Sequence, residues 1–185
     1  MPIADLTGHK VAILSTHGFE QSELMEPLEQ LRAAGADVTV ISPEGGEIKG
    51  WKDKDWGDSV PVDLLLEDAQ AGDYHALILP GGQMNPDILR ANPTAVDFVR
   101  TFAASGRPVA AICHAPWLLI EAGVASGRTM TSYGSIRTDL ENAGANVVDK
   151  DVAIDGNVIT SRSPEDLPAF IEAIANAMTD AVADA

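Results

Sequence analysis

Val109-Ala110-Ala111-Ile112-Cys113-His114-Ala115-Pro116 is the stretch that decides the fold. Its first four residues are small or branched and wholly apolar. Such a run suits a parallel strand buried on both faces. Pro116 fits the first position of a helix, where the missing N–H has no partner to lose. The helical pattern continues to Ala122 and stops at Gly123. A strand that passes into a helix through a tight turn is the repeating unit of an open α/β sheet.

The rest of the chain repeats that alternation. Lys10 to Leu14, Val38 to Ile41 and Ala76 to Leu79 are further short apolar runs, read as buried strands. Val147 to Val152 and Val158 to Thr160 are expected strands with a turn at Asp155-Gly156. Glu20 to Ala34 has Leu24, Leu28 and Leu31 at helical spacing and Gly35 as its C-terminal stop. Helices are also expected from Asn92-Pro93 to Ser105, over Ile136 to Ala143, and from Pro164 to Met178. Residues 43–61 carry Gly, Asp, Lys and two tryptophans and read as loop and hairpin. The pattern predicts a doubly wound, mostly parallel sheet sandwiched by helices, flavodoxin-like in plan. With no repeat or linker, residues 1–185 are read as one domain, its core spanning about residues 10–178.

Composition narrows the function. The chain has 185 residues, 45% of them hydrophobic, and a formal net charge of −16. So acidic a surface argues against nucleic acid and anionic membrane as partners. No apolar run approaches the roughly 18 residues that cross a bilayer. The N-terminus lacks the pattern of a secretory leader. A single cysteine, Cys113, cannot close an internal disulfide. Together these features predict a cytoplasmic protein. No phosphate loop or dinucleotide fingerprint is present. His9, His17, His75 and His114 lack metal-ligand spacing. No cofactor and no metal are expected.

In α/β sheets, ligands bind beyond the carboxyl ends of the strands. Cys113 sits at such an end. A sharp strand-to-helix turn lifts its side chain into the crevice, as in a nucleophile elbow. The helix N-terminus then favours the thiolate, and thiols in such places ionise at about 3.5–7.5. A small buried hydrophobe is the plainer role for a lone cysteine. His114 is a candidate general base and acid, or a cap for the helix. Backbone N–H groups at Gly81, Gly82 and His114 are candidate donors to a carbonyl oxygen. Glu20 and Glu23, three apart at a helix start, share a face. Either can aim a protonated carboxyl at the sulfur, and either can simply favour the helix dipole. Asp87, after the Gly-Gly turn, is a candidate to orient His114.

Several segments carry a resemblance: Gly18-Phe19-Glu20-Gln21-Ser22-Glu23, Leu79-Pro80-Gly81-Gly82, Ala111-Ile112-Cys113-His114-Ala115-Pro116, Asn142-Ala143-Gly144-Ala145 and Thr160-Ser161-Arg162-Ser163-Pro164-Glu165-Asp166-Leu167. In this order they resemble the PfpI-type intracellular protease family, within the superfamily of the parkinsonism-associated protein deglycase and related in fold to class I glutamine amidotransferases. The resemblance implies Cys113 as nucleophile, His114 as its partner and an early glutamate at the sulfur, with Glu23 fitting better than Glu20. It implies an acid on the histidine from a neighbouring subunit, at Asp87, and so a homodimer or a higher even oligomer. The function it suggests is a stress-related enzyme acting on methylglyoxal or glycated adducts. Peptide or amide hydrolysis is the alternative within the family, with a small aldehyde or a peptide as the respective substrate. An oxidation sensor or holdase using Cys113 is the alternative of another class.

Overall fold

The computed structural model describes residues 3–183, with side chains through residue 180. In chain order the strands are β1 (Lys10–Leu14), β2 (Phe19–Glu20), β3 (Asp37–Ser42), β4 (Glu47–Lys52), β5 (Asp55–Pro61), β6 (Leu64–Leu65), β7 (Ala76–Leu79), β8 (Val109–Ile112), β9 (Thr129–Met130), β10 (Asn146–Val147), β11 (Val152–Asp155) and β12 (Val158–Ser161). The α-helices are α1 (Gln21–Ala33), α2 (Met84–Arg90), α3 (Pro93–Ala104), α4 (Pro116–Glu121), α5 (Arg137–Asn142) and α6 (Leu167–Ala183).

Seven strands form the central sheet in the order β11-β12-β8-β7-β1-β3-β6. Every pairing in it is parallel except β11 with β12. This is the expected α/β architecture, and its cause lies in the strand sequences. Successive side chains point to opposite faces. In β1, Ala12 and Leu14 enter one apolar cluster while Val11 and Ile13 enter the other. In β8, Val109 and Ala111 go one way and Ala110 and Ile112 the other. Leu89 of α2, Phe102 of α3, Leu118 of α4 and Leu140 of α5 close the first face. Leu24, Leu28 and Leu31 of α1, with Phe170 and Ile174 of α6, close the second.

The local signals act as expected at several joints. Asn92 Oδ1 accepts from the Thr94 and Ala95 N–H groups at 3.0 and 3.2 Å, capping α3 ahead of Pro93. At the end of α1, the Ala36 N–H reaches back to the Leu31 carbonyl around Gly35. The hairpin expected in residues 43–61 is β4–β5, joined by β2 in a separate three-stranded sheet.

Three expectations need correction. The segment expected as one strand over residues 147–152 divides between β10 and β11, in two different sheets. The last helix begins at Leu167, after a 3₁₀ turn at Pro164–Asp166 in which Asp166 accepts from Arg162. Residues 84–90, expected as loop around Asp87, form α2. Pro86 lies in its first turn, where an N–H would have no intrahelical partner.

Candidate active site

The site gathers at the carboxyl end of β8. Cys113 has φ +66°, in the left-handed region. That conformation costs a non-glycine residue roughly 1–2 kcal/mol. Two tertiary hydrogen bonds hold it. The Cys113 N–H donates to the Ser161 carbonyl at 3.1 Å, and the Cys113 carbonyl accepts from the Tyr133 N–H at 2.9 Å. Pinned on both sides, the chain turns sharply before α4 and brings two consecutive side chains into one cleft. Cys113 Sγ lies 3.1 Å from His114 Nδ1.

Glu23 approaches from α1. Its side chain is 0% exposed. Oε2 accepts from the Gly81 N–H at 2.8 Å. The carboxyl stands beside Cys113, and its Oε1 is buried with no hydrogen-bond partner. Three elements meet here because residue 81 has no side chain. A Cβ at Gly81 would stand 2.4 Å from Glu23 Oε2, 2.6 Å from Cys113 Cβ and 2.7 Å from the Ile112 carbonyl oxygen. Gly82, with φ +81°, passes equally close to the Gly18 carbonyl.

The two acidic candidates therefore separate. Glu23 meets the sulfur, while Glu20 stays at the N-cap of α1, half-buried on the cleft wall. The three candidate backbone donors separate too. The N–H groups of Gly82 and His114 face Cys113 Sγ. That of Gly81 is taken by Glu23, so the expectation of a free donor at Gly81 is corrected.

Burial dominates the electrostatics. It pushes the Glu23 carboxyl up to about 8, and the negative charge of Glu20 adds to the effect, against the Gly81 N–H. Glu23 is thus protonated at neutral pH. Burial also pushes the Cys113 thiol up, and an ionised Glu23 pushes it further, whereas the Gly82 and His114 N–H groups work the other way. Cys113 is only 5% exposed. The expected accessible, acidic thiol gives way to a recessed one. His114 is lowered by burial and rests neutral.

His114 Nε2 lies 3.3 Å from Ser135 Oγ. The Tyr133 ring stacks on the imidazole with centroids 4.7 Å apart, and Trp117 meets it edge-on at 5.2 Å. No sequence signal marked Ser135 or Tyr133. They arrive because the Tyr133 N–H is the partner of the Cys113 carbonyl. Asp87 does not reach the imidazole within this chain. Its side chain is 67% exposed on α2 and lies 3.9 Å from Arg90.

The cysteine opens into a cleft of about 780 Å³ walled by Glu20, Trp51, Asp53, Met84, Tyr133 and Glu165, among others. Trp51, in the hairpin expected over residues 43–61, lines this cleft. A separate hollow of about 570 Å³ between β11 and α6 contains no cysteine or histidine. Among the described residues, no three His, Cys, Asp or Glu side chains gather as a metal site requires.

This arrangement has relatives. General stress protein 18 of Bacillus subtilis is 46% identical over 88% of this chain and 94% of its own length. Deglycase TK1284 of Thermococcus kodakarensis is 44% identical over 88% of this chain and 95% of its own. The crystal structure of Drosophila melanogaster DJ-1beta superposes with a TM-score of 0.82 at 31% identity, covering 93% of this chain and 94% of that one. Likeness of this extent to a named deglycase marks the present chain as an enzyme. The DJ-1/PfpI family model matches residues 9–177, which takes in the whole of the sheet and every site residue described above, and the chain belongs to that family.

Proposed function

We propose that this enzyme is a cysteine-dependent deglycase or glyoxalase-like hydrolase that acts on methylglyoxal or its adducts through Cys113 and His114. The observation that carries the reading is the 3.1 Å contact between Cys113 Sγ and a neutral His114 Nδ1, beside a protonated Glu23. The name of the Thermococcus relative supports it.

The chemistry needs one nucleophile, one base and fixed donors. His114 Nδ1 takes the thiol proton as sulfur adds to the aldehyde carbon, giving a hemithioacetal. With a glycated amine, sulfur displaces the amine from the same carbon and the amine leaves with a proton. His114 then moves the carbon-bound proton from that carbon to the neighbouring carbonyl carbon through an enediol, leaving a lactoyl thioester. Water releases lactate and restores the thiol. The sum is methylglyoxal plus water giving lactate, with no external oxidant. Through the cycle the thiolate is held by the Gly82 and His114 N–H groups and by the Glu23 O–H.

We also propose a cytoplasmic homodimer or higher even oligomer, in which Asp87 of a neighbouring copy approaches His114. Its exposure on α2, away from its own chain's imidazole, supports that arrangement.

The deciding experiment measures lactate from methylglyoxal and from preformed hemithioacetals, beside a peptide panel, for wild type and Cys113→Ala. Lactate lost in the variant is expected. Lactate that is unchanged in the variant overturns the reading. Peptide cleavage without lactate makes the enzyme a peptidase. Neither activity, with selective oxidation of Cys113, makes the site a sensor.

A further inference from the structure

The mouth of the Cys113 cleft carries charge of one sign. Glu20 stands at the N-cap of α1, Asp53 in the β4–β5 turn and Glu165 in the turn before α6, so three distant segments each supply a carboxylate. Asp53 is held there at φ +56°. No lysine or arginine lines the cleft among the described residues. None of the three carboxylates forms an ion pair among those residues. The one polar contact to note is at Glu165, whose Oε2 accepts from Ser163 Oγ at 2.5 Å. Deeper in the same cleft, Glu23 is fully buried and its Oε1 has no hydrogen-bond partner. Trp51 forms part of the wall.

Carboxylates that form no ion pair, beside an aromatic residue, make a poor seat for an anion. They suit a guanidinium or an ammonium, which carboxylates attract through charge and an indole attracts through its π face. A smaller hollow of about 540 Å³ shares Glu20, Asp53 and Glu165 with the cleft and is lined on its far side by Gln21, Met25, Glu26 and a single cation, Lys52. The acidic ridge thus lies between the two, where a substrate larger than a free aldehyde would cross it.

We propose that Glu20, Asp53 and Glu165, together with Trp51, select for substrates bearing a positive charge next to the reacting carbon. Adducts on arginine or lysine side chains, or on cationic peptides, are then favoured over anionic aldehydes and adducts. The proposal rests on the Cys113 cleft being the substrate site, and its primary test does not depend on turnover.

Cys113 is modified with three methanethiosulfonates of similar size, bearing a trimethylammonium, a sulfonate or no charge. In each reaction the thiolate forms a mixed disulfide and methanesulfinate leaves. Rates are divided by those of a small free thiol, which removes intrinsic reagent reactivity. Taking the ratio of cationic to anionic reagent cancels thiolate availability. At low salt the wild-type ratio is expected to be about 10 or more, the lower range of electrostatic focusing in a charged cleft. It should fall to within about twofold in Glu20→Gln/Asp53→Asn/Glu165→Gln, and in 1 M salt, where the screening length is about 3 Å. Glu165→Gln alone, at an exposed position, should lower it severalfold and serves if the triple variant folds poorly. A wild-type ratio within twofold of unity overturns the proposal, as does a ratio that survives neutralisation.

A second arm compares kcat/KM for methylglyoxal hemithioacetals of Arg-Cys-Arg and Glu-Cys-Glu peptides. A preference for the arginine peptide that disappears in the triple variant supports the proposal. Equal turnover of both overturns it for substrates. Absence of lactate from either peptide, with the reagent ratio intact, sinks the deglycase reading and leaves charge selection standing.

Discussion

Glu23→Gln puts the buried carboxyl to a test that needs no substrate. Glu23 is fully buried, and its proton, released near 4.5 by an ordinary glutamate, is held to about 8. Between those values the folded protein binds one proton more than the unfolded chain. Stability therefore falls as pH rises, by about 1.4 kcal/mol per pH unit. The contribution is whole below pH 4.5 and is lost as pH climbs through 8. Across the full interval it amounts to about 5 kcal/mol. Glutamine cannot titrate, yet it offers an acceptor to the Gly81 N–H and a donor to the sulfur.

The variant should thus show a flatter stability profile than wild type. Urea unfolding at unit steps from pH 5 to 9 would read the difference. The gap between the two proteins should widen by about 4 kcal/mol across that range, from the same linkage relation. With a urea slope near 2 kcal/mol per molar, the midpoints move apart by about 2 M. Repeating the pair in a Cys113→Ser background removes the thiol's own titration. Parallel profiles in both backgrounds would show that Glu23 is not a buried, protonated acid, and the donor assigned to the thiolate would go with it.

Other perturbations reach other parts of the site. Gly81→Ala places a methyl against the Ile112 carbonyl and Cys113 Cβ. It should cost about 2–3 kcal/mol by chemical denaturation and slow Cys113 alkylation, and a variant of wild-type stability would refute the packing. Because burial lowers His114 and raises Glu23 to about 8, lactate formation should rise through an acid limb below pH 6.5 and decline above pH 8. An acid limb centred above 6.5 would remove His114 as the base. Asp87→Asn should lower kcat and leave Cys113 modification by a neutral reagent within about twofold, if the neighbour's carboxylate acts through the imidazole. A monomeric mass by light scattering at micromolar concentration would remove that role.

What the sequence made legible is what local chemistry dictates. Val109 to Ile112 and Ala76 to Leu79 are apolar on both faces, so they read as central strands, and both are. Asn92-Pro93 and Gly35 read as helix boundaries for reasons internal to a few residues, and both are. Helix α2 was hidden because Pro80-Gly81-Gly82 and Asn85-Pro86 are turn-forming residues, although Pro86 is harmless in a first turn. Strands β6, β9 and β10 have two residues each and exist only through their partners. The choice between Glu20 and Glu23 was open because both lie at the start of α1. Burial decides it, and burial there depends on β7 and β8.

The position of Cys113 and His114 as chain neighbours has a physical reason. On a regular strand, adjacent side chains point to opposite faces, so a nucleophile and base at successive positions would be parted by the sheet. The left-handed turn at Cys113 removes that constraint and brings both into one cleft. The strain is localised at one residue and opposed by hydrogen bonds from two elements far away in sequence, β12 and the Tyr133 loop. The same Tyr133 places its ring on the imidazole. One tertiary contact therefore fixes the backbone of the nucleophile and orients the base. Packing thus sets the imidazole within the chain before any distant acid is engaged, and the chain's own Asp87 faces outward on α2.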